Sequence, residues 1–248
     1  METKRVLLMY SGGYDSILSM FKLMNFGYNV LLVNYDNGCE ISNGYEVKQA
    51  MKYQEKYYPK IEYIGKITTV TGFMYNNRLT DNIPMNEMVE KYGNTTISQI
   101  RCLNCRSAMY VESIKYCLDN NIHYIAEGAR KSQLFSIEQP PVIESYKKLV
   151  NEYGLELLLP VWDLEDDFDK ETLIMGYDDN RGGATLWGKS ESKCVLGIPL
   201  EEAVPEEYTN TIKKLLEELI IPDCRRQIEY KYRPKQLLYK GNGNFPFL

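Results

Sequence analysis

Residues 5–16 read Arg5-Val6-Leu7-Leu8-Met9-Tyr10-Ser11-Gly12-Gly13-Tyr14-Asp15-Ser16. An unbroken apolar run ending in Ser-Gly-Gly is the pattern of a buried strand closed by a tight turn. Just downstream, Ile17, Met20, Phe21 and Met24 recur at i, i+3, i+4 and i+7. That spacing lines one face of a helix over 15–26. Gly27 is placed to end it. Residues 29–34 (Asn-Val-Leu-Leu-Val-Asn) form a second apolar run. A strand–helix–strand unit of about 30 residues is a βαβ crossover, which requires parallel pairing.

The alternation continues outward from this unit. Helices are expected over 43–57, 106–120, 142–153 and 206–220, and strands over 61–64, 122–126 and 155–161. The class is α/β, with an open, mostly parallel five-stranded sheet covered by helices on both faces. A C-terminal helix and tail complete the chain. No internal repeat is visible. The division expected is a main domain over 1–221 and a basic, Tyr-containing tail over 222–248. The stretch 176–193, rich in Gly, Asp, Asn and Ser, reads as a long loop.

In open α/β folds, ligands bind beyond the carboxyl ends of the strands. Ser11–Ser16 occupies that position between the first strand and the first helix. Gly12 and Gly13 let the backbone come close to an anion. Ser11, Ser16 and the first amides of the helix supply donors, and the helix dipole adds partial positive charge. The arrangement is a phosphate cradle, although an ordinary Gly-Gly turn would use the same residues. Asp15 is placed to cap the helix or to hold a Mg²⁺ ion that bridges phosphates. The Walker pattern GxxxxGK[ST] is absent.

The chain has six Cys and one His. One His excludes sites that need two, such as an HExxH protease or a facial iron triad. Side-chain chemistry is therefore sought at cysteine. Cys102 and Cys105 form a CxxC pair, flanked by Arg101 and Arg106, expected near the start of a helix. Such a setting favours thiolate and directs two sulfurs at one metal or cluster. Cys194 and Cys224 lie in segments able to approach. Cys117 falls on an apolar helix face beside Ile114 and Leu118, so a core role is expected. Cys39 has no evident partner. A closed zinc site of Cys102, Cys105, Cys194 and Cys224, and a bare redox or persulfide-relaying pair, both stay open.

The segment Ser11-Gly12-Gly13-Tyr14-Asp15-Ser16 resembles the SGGxDS loop of the PP-loop ATP pyrophosphatases, enzymes of the adenine nucleotide α-hydrolase fold. The resemblance implies cleavage of ATP between its α and β phosphates and adenylation of a substrate oxygen. It places Ser11, Gly12, Gly13, Asp15 and Ser16 on the phosphates. It sets adenine and ribose against the end of the second strand (Val33, Asn34, Tyr35, Asp36), with a further contact from Gly128. Arg130 and Lys131, which follow Gly128, are placed to neutralise phosphate charge.

In cysteine pattern the chain is similar to the PP-loop enzymes that thiolate cytidine and ribothymidine in tRNA. There a CxxC and one distant Cys hold a [4Fe–4S] cluster, and the interval from Cys105 to Cys194 is 89 residues. The resemblance implies Cys102, Cys105 and Cys194 as cluster ligands, with Cys224 as an additional candidate. Asp15, Cys102 and Cys105 are the candidate catalytic residues, with ATP, Mg²⁺ and the cluster (or Zn²⁺) as cofactors. It further implies a sulfur donor, and either a tRNA base or a small molecule as acceptor. Two rivals remain: carboxylate activation for ammonia, as in 7-cyano-7-deazaguanine synthase with its Cys-held zinc, and a non-catalytic nucleotide-binding module.

The net charge is −5, yet the segment from Cys224 onward holds six basic residues and one acid. Tyr230, Tyr232 and Tyr239 lie among them. Charge interleaved with stacking rings suits RNA, and equally suits a solvated tail. Asp163, Glu165, Asp166, Asp167 and Asp169 crowd one short stretch, best read as a solvated loop. No run of eighteen apolar residues occurs. A cytoplasmic, membrane-free protein is expected, as a homodimer.

Overall fold

The computed structural model describes residues 4–38, 40–41, 44–71, 85–92, 97–133, 135–165, 193–194 and 206–232 of the chain. The first strand, β1 (Arg5–Met9), is followed by helix α1 (Tyr14–Asn25) and strand β2 (Asn29–Asp36). After a two-residue strand, β3 (Glu40–Ile41), come α2 (Tyr45–Tyr57) and β4 (Ile61–Thr68). Helices α3 (Met85–Tyr92) and α4 (Ile97–Asp119) precede β5 (Tyr124–Glu127), α5 (Pro140–Glu152) and β6 (Glu156–Leu158). The described part ends with β7 (Lys193–Cys194), α6 (Glu206–Leu215), a π-helical turn (Leu216–Ile220) and α7 (Ile221–Tyr232).

Five strands form one parallel sheet in the order β4-β2-β1-β5-β6. Its strands alternate two apolar sets, as a period of two requires. Val6, Leu8, Tyr10, Val30 and Leu32 pack with Ile17, Met20 and Phe21 of α1 and Tyr53 of α2. Leu7, Met9, Leu31, Val33 and Tyr35 pack against α4, α5, α6 and α7 on the other face. Burial on both faces is why β1 and β2 read as continuous apolar runs rather than alternating ones.

Several boundaries differ from the sequence expectation. The helix expected over 106–120 begins at Ile97, because Ile100 and Leu103 extend its buried face upstream. Cys102 and Cys105 therefore lie inside the helix and not at its start. The strand expected over 155–161 is only Glu156–Leu158; Pro160 has no N–H to give a ladder. The helix expected to stop at 220 runs on through the π turn into α7. Pro222 accounts for the turn. It cannot donate to the carbonyl four residues back, and the helix widens just before it. Ile221 N–H bonds Leu216 O instead.

Helix α7 crosses the boundary drawn at 221/222, and its Cys224 and Ile228 are fully buried in the core. Three of the basic residues there have acidic partners: Arg225 with Glu152 at 2.7 Å, Arg226 with Asp223, and Lys231 with Asp119. The expected loop 176–193 and the rest of the tail, with Tyr239, lie outside the described residues except for Lys193. So do Cys39, Asp166, Asp167 and Asp169. Among the described residues no helix is long and apolar enough to cross a membrane.

Candidate functional site

The sheet order reverses direction between β1 and β5, which opens a crevice beyond their carboxyl ends. The loop after β1 and the connection after β5 meet there. Ile17 N–H bonds Gly13 O at 3.1 Å, so the amides of residues 14–16 have no carbonyl within the helix to bond. Side chains shape the loop. Gly12 N–H donates to Ser16 Oγ at 3.1 Å, and Ser16 Oγ donates to Gly13 O at 2.9 Å. Gly13 N–H donates to Ser11 Oγ at 3.2 Å. Ser11 and Ser16 thus hold the turn in shape. Asp15 does not cap α1: the cap position is Gly13, and no side chain bonds there.

Two glycines are required by contact, and the first of them by conformation as well. Gly12 has φ +82°, and a Cβ there would lie 2.9 Å from Glu46 Cβ. Gly128 packs on the Asp15–Ser16 peptide, where a Cβ would lie 2.8 Å from both Asp15 C and Ser16 N. Gly128 thus brings the β5 connection onto the helix start. Gly12→Ala is expected to lower stability by about 1–3 kcal/mol, as a non-glycine residue held at positive φ does. Urea denaturation measures this, and an unchanged midpoint would count against the tight packing on Glu46.

The carboxylate of Asp15 reaches across the crevice. Its Oδ1 lies 3.0 Å from Arg130 Nε, an ion pair by distance without hydrogen-bond alignment. Its Oδ2 accepts from Gln133 Nε2 at 3.3 Å. Arg130 is buried, whereas Lys131 is exposed on the short 3₁₀ turn Lys131–Gln133. Asn34 is buried and its Nδ2 donates to Tyr10 O at 2.5 Å, while its Oδ1 has no partner. Val33 and Tyr35 point away from the crevice face into the α4 side of the core. Tyr35 Oη and Ser113 Oγ share a hydrogen bond of 2.5 Å there.

At the end of β5, Glu127 is fully buried. Arg106 NH1 donates to its Oε2 at 2.6 Å, and Tyr110 Oη donates to its Oε1 at 2.5 Å. The guanidinium expected to favour thiolate at Cys105 is therefore committed to Glu127. Burial, with Glu127 next, keeps the Tyr110 hydroxyl protonated. Sequence reasoning missed Glu127, Gln133 and Asn37. Only Glu127 carried a signal, as the residue before a glycine at a strand end.

Cys102 and Cys105 are half-buried, three residues apart and so on one side of α4. Because the helix starts at Ile97, they gain little from its dipole, which fades within the first turn. Asn37, one residue past β2, donates from Nδ2 to Cys105 Sγ at 3.1 Å. Cys105 and the carboxyl end of β2 thus share a neighbourhood. Cys194 lies in β7, in register opposite Glu40, which is three residues beyond Asn37. Its backbone is accordingly carried to the same end of the sheet. Cys224 is in the core on α7 and does not join Cys102 and Cys105. Among the described residues no three His, Cys, Asp or Glu side chains form a metal-binding group.

Cys117 is buried as expected, and burial pushes its thiol up to about 12, with Arg5 opposing. Iodoacetamide at neutral pH is therefore expected to label Cys102 and Cys105 well before Cys117 and Cys224 in the native protein. Peptide mass spectrometry reads the order, and early labelling of Cys117 would contradict the packing.

No family model and no curated protein matches the sequence. Solved structures do. A 4-thiouridine synthetase in complex with RNA and bound ATP aligns with TM-score 0.57 at 12% identity, over 92% of this chain and 53% of that one. This chain therefore spans about half the synthetase's length. A predicted tRNA methyltransferase subunit from Methanocaldococcus jannaschii aligns with TM-score 0.46 at 16% identity, covering 70% and 76%. An NMN synthetase from Francisella tularensis aligns with TM-score 0.46 at 12% identity, covering 99% and 90%. Sheet order and the synthetase alignment agree: the chain shares the open parallel α/β fold of that synthetase, with the Ser11–Ser16 loop at the switch point.

Proposed function

We propose that the chain is an ATP pyrophosphatase-type enzyme that adenylates a carbonyl oxygen of its acceptor and then replaces that oxygen by sulfur. The observation that carries this reading is the Ser11–Ser16 turn beyond the carboxyl end of β1, with Asn37, just beyond the same end of the neighbouring β2, donating to the Cys105 sulfur. The acceptor oxygen attacks the α-phosphorus of ATP, the bond to the β-phosphate oxygen breaks, and pyrophosphate leaves. The loop amides stabilise the charge on the phosphates. Asp15 is the residue to hold Mg²⁺, with Arg130 and Gln133 fixing its carboxylate. Hydrosulfide supplied by the sulfur donor then attacks the activated carbon, the C–O bond breaks and AMP leaves with its electron pair; Cys102 and Cys105 would serve to bind the group that delivers that sulfur.

Cys102, Cys105 and Cys194 are of the soft donor type that would suit an iron–sulfur cluster or zinc. When bound, a cluster with an open iron would carry the transferred sulfur. The synthetase that shares this fold was solved with RNA and ATP, which supports a tRNA base as acceptor. The basic, Tyr-containing end of the chain supports it too, although Arg225, Arg226 and Lys231 have acidic partners here.

Anaerobic purification with iron, sulfide and zinc analysis tests the cysteine site. The expected result is iron and sulfide, lost in Cys194→Ser and kept in Cys224→Ser. Stoichiometric zinc without iron after reconstitution would favour the amidation-type rival. ATP binding with no pyrophosphate release would favour the non-catalytic module.

A further inference from the structure

Helix α2 carries an exposed basic stripe. Lys48, Lys52 and Lys56 recur at i, i+4 and i+8, and all three are exposed. That spacing sets them in one row along the helix, about 6 Å apart and about 12 Å from first to last. Glu55 is the one acid among the exposed residues of α2. Among the described residues no acidic side chain pairs with Lys48 or Lys52. Lysines on other helices do have such partners: Lys91 with Glu218, Lys147 with Glu144 and Lys213 with Glu217. The chain as a whole is acidic, at −5, so the row on α2 is a local exception. An aromatic ring joins it. Tyr45 is exposed, and Lys48 Nζ lies 5.6 Å from its ring centre.

The row also has a fixed place. The opposite face of α2 is anchored in the core through Ala50 and Tyr53. The first turns of the helix abut the loop after β1. Glu46 packs at Gly12, and Gln49 accepts from Tyr10 Oη at 2.7 Å. As a crossover helix between parallel strands, α2 then runs back toward the amino ends of the sheet. The row therefore begins beside the crevice and leads away from it.

We propose that the Tyr45–Lys56 stripe of α2 is a track for the phosphate backbone of an RNA acceptor, leading it to the crevice at the Ser11–Ser16 turn. The inference names the surface that such an acceptor uses, and so rests on the tRNA reading above. Evenly spaced ammonium groups neutralise consecutive phosphates and release their counterions. The Tyr45 ring offers a face on which a base can stack. An anionic membrane is the poorer match, because the Ala50–Tyr53 face that would enter a bilayer is already buried in the core.

The test is fluorescence anisotropy of an end-labelled, unmodified tRNA transcript with the full chain, from about 50 to 200 mM KCl. Wild type is expected to bind, more weakly as salt rises. The triple variant Lys48→Gln, Lys52→Gln, Lys56→Gln is expected to bind about 10–100-fold more weakly at the low-salt end. Its plot of log affinity against log salt is expected to be shallower by about 2–3. Arg at the same three positions keeps the charge and is expected to bind as wild type does. Lys91→Gln with Lys147→Gln and Lys213→Gln removes equal charge from paired lysines, and is expected to stay within about twofold of wild type. Tyr45→Ala is expected to bind about fivefold more weakly with the salt slope kept. Thermal melting verifies that each variant is folded. Wild-type affinity in the α2 Gln triple, or equal losses in both Gln triples, would overturn the track alone. Phosphatidylserine vesicle binding that the α2 triple loses, with its RNA binding kept, would overturn it in favour of a membrane. If wild type binds no tRNA, the RNA-acceptor reading falls and the track with it, while pyrophosphate release with uridine or cytidine tests adenylation separately.

Discussion

Asp15→Ala is expected to bind ATP and to release pyrophosphate on the order of 10³-fold more slowly than wild type. The reasoning combines two contacts and one position. Asp15 sits in the first turn of α1, beside the amides proposed to meet the phosphates. Its carboxylate is held from the far side of the crevice by Arg130 at 3.0 Å and Gln133 at 3.3 Å. A carboxylate fixed beside a polyphosphate is the protein group available there to hold a divalent cation. Loss of that cation removes the main charge stabilisation of the departing pyrophosphate, and one such electrostatic contribution is worth about 10²–10³-fold or more. Asp15→Asn separates the roles. The amide keeps the size and part of the hydrogen bonding, so the crevice stays closed while the charge is gone. Turnover near wild type in either variant would show that Asp15 only braces Arg130.

The second large effect falls on stability. Arg106→Ala is expected to cost about 3–5 kcal/mol, because it strands the fully buried Glu127 carboxylate without its cation. Glu127 also receives the Tyr110 hydroxyl, and Tyr110 stacks on Tyr146 with ring centroids 4.5 Å apart. The loss therefore propagates into the α4–α5 packing. The double change Arg106→Met with Glu127→Gln removes both charges and is expected to recover most of the loss. Chemical denaturation of the three proteins decides the matter. A single variant within 1 kcal/mol of wild type would mean that water reaches the pair.

The sheet and the Ser11–Ser16 turn were legible in the sequence because their signals are local. Apolar runs, the Gly12-Gly13 turn and the Ile17, Met20, Phe21 stripe each lie within a few residues, and the β1–α1–β2 unit leaves only one handedness. The start of α4 was not legible. The helix was expected at 106, where the Val111, Ile114 and Leu118 face begins. Its true first turns carry the CxxC pair, whose polar neighbours hide the periodicity. The π turn before Pro222 was legible only as a proline late in a helical pattern.

The partners inside the crevice were hidden for a different reason. Asp15 with Arg130, Arg106 with Glu127, and Asn37 with Cys105 join residues from different elements. Spacing along the chain says nothing about which charge meets which. Arg106 beside Cys105 suggested an electropositive thiol site, and the fold instead directs that guanidinium to Glu127. The cysteines divide in the same way. Cys117 was placed in the core by helical periodicity alone, whereas Cys194 reaches the sheet end through a strand pairing that no local pattern announces.

The most direct test of the central claim is the identity of the products formed from ATP. Phosphorus NMR of ATP–Mg²⁺ incubated with the protein and unmodified tRNA transcripts distinguishes the two possible cleavages. Attack at the α-phosphorus gives AMP and pyrophosphate, which is the expected outcome, and it disappears in Asp15→Ala. ADP and orthophosphate, or bound ATP that stays intact with every acceptor, would contradict the account.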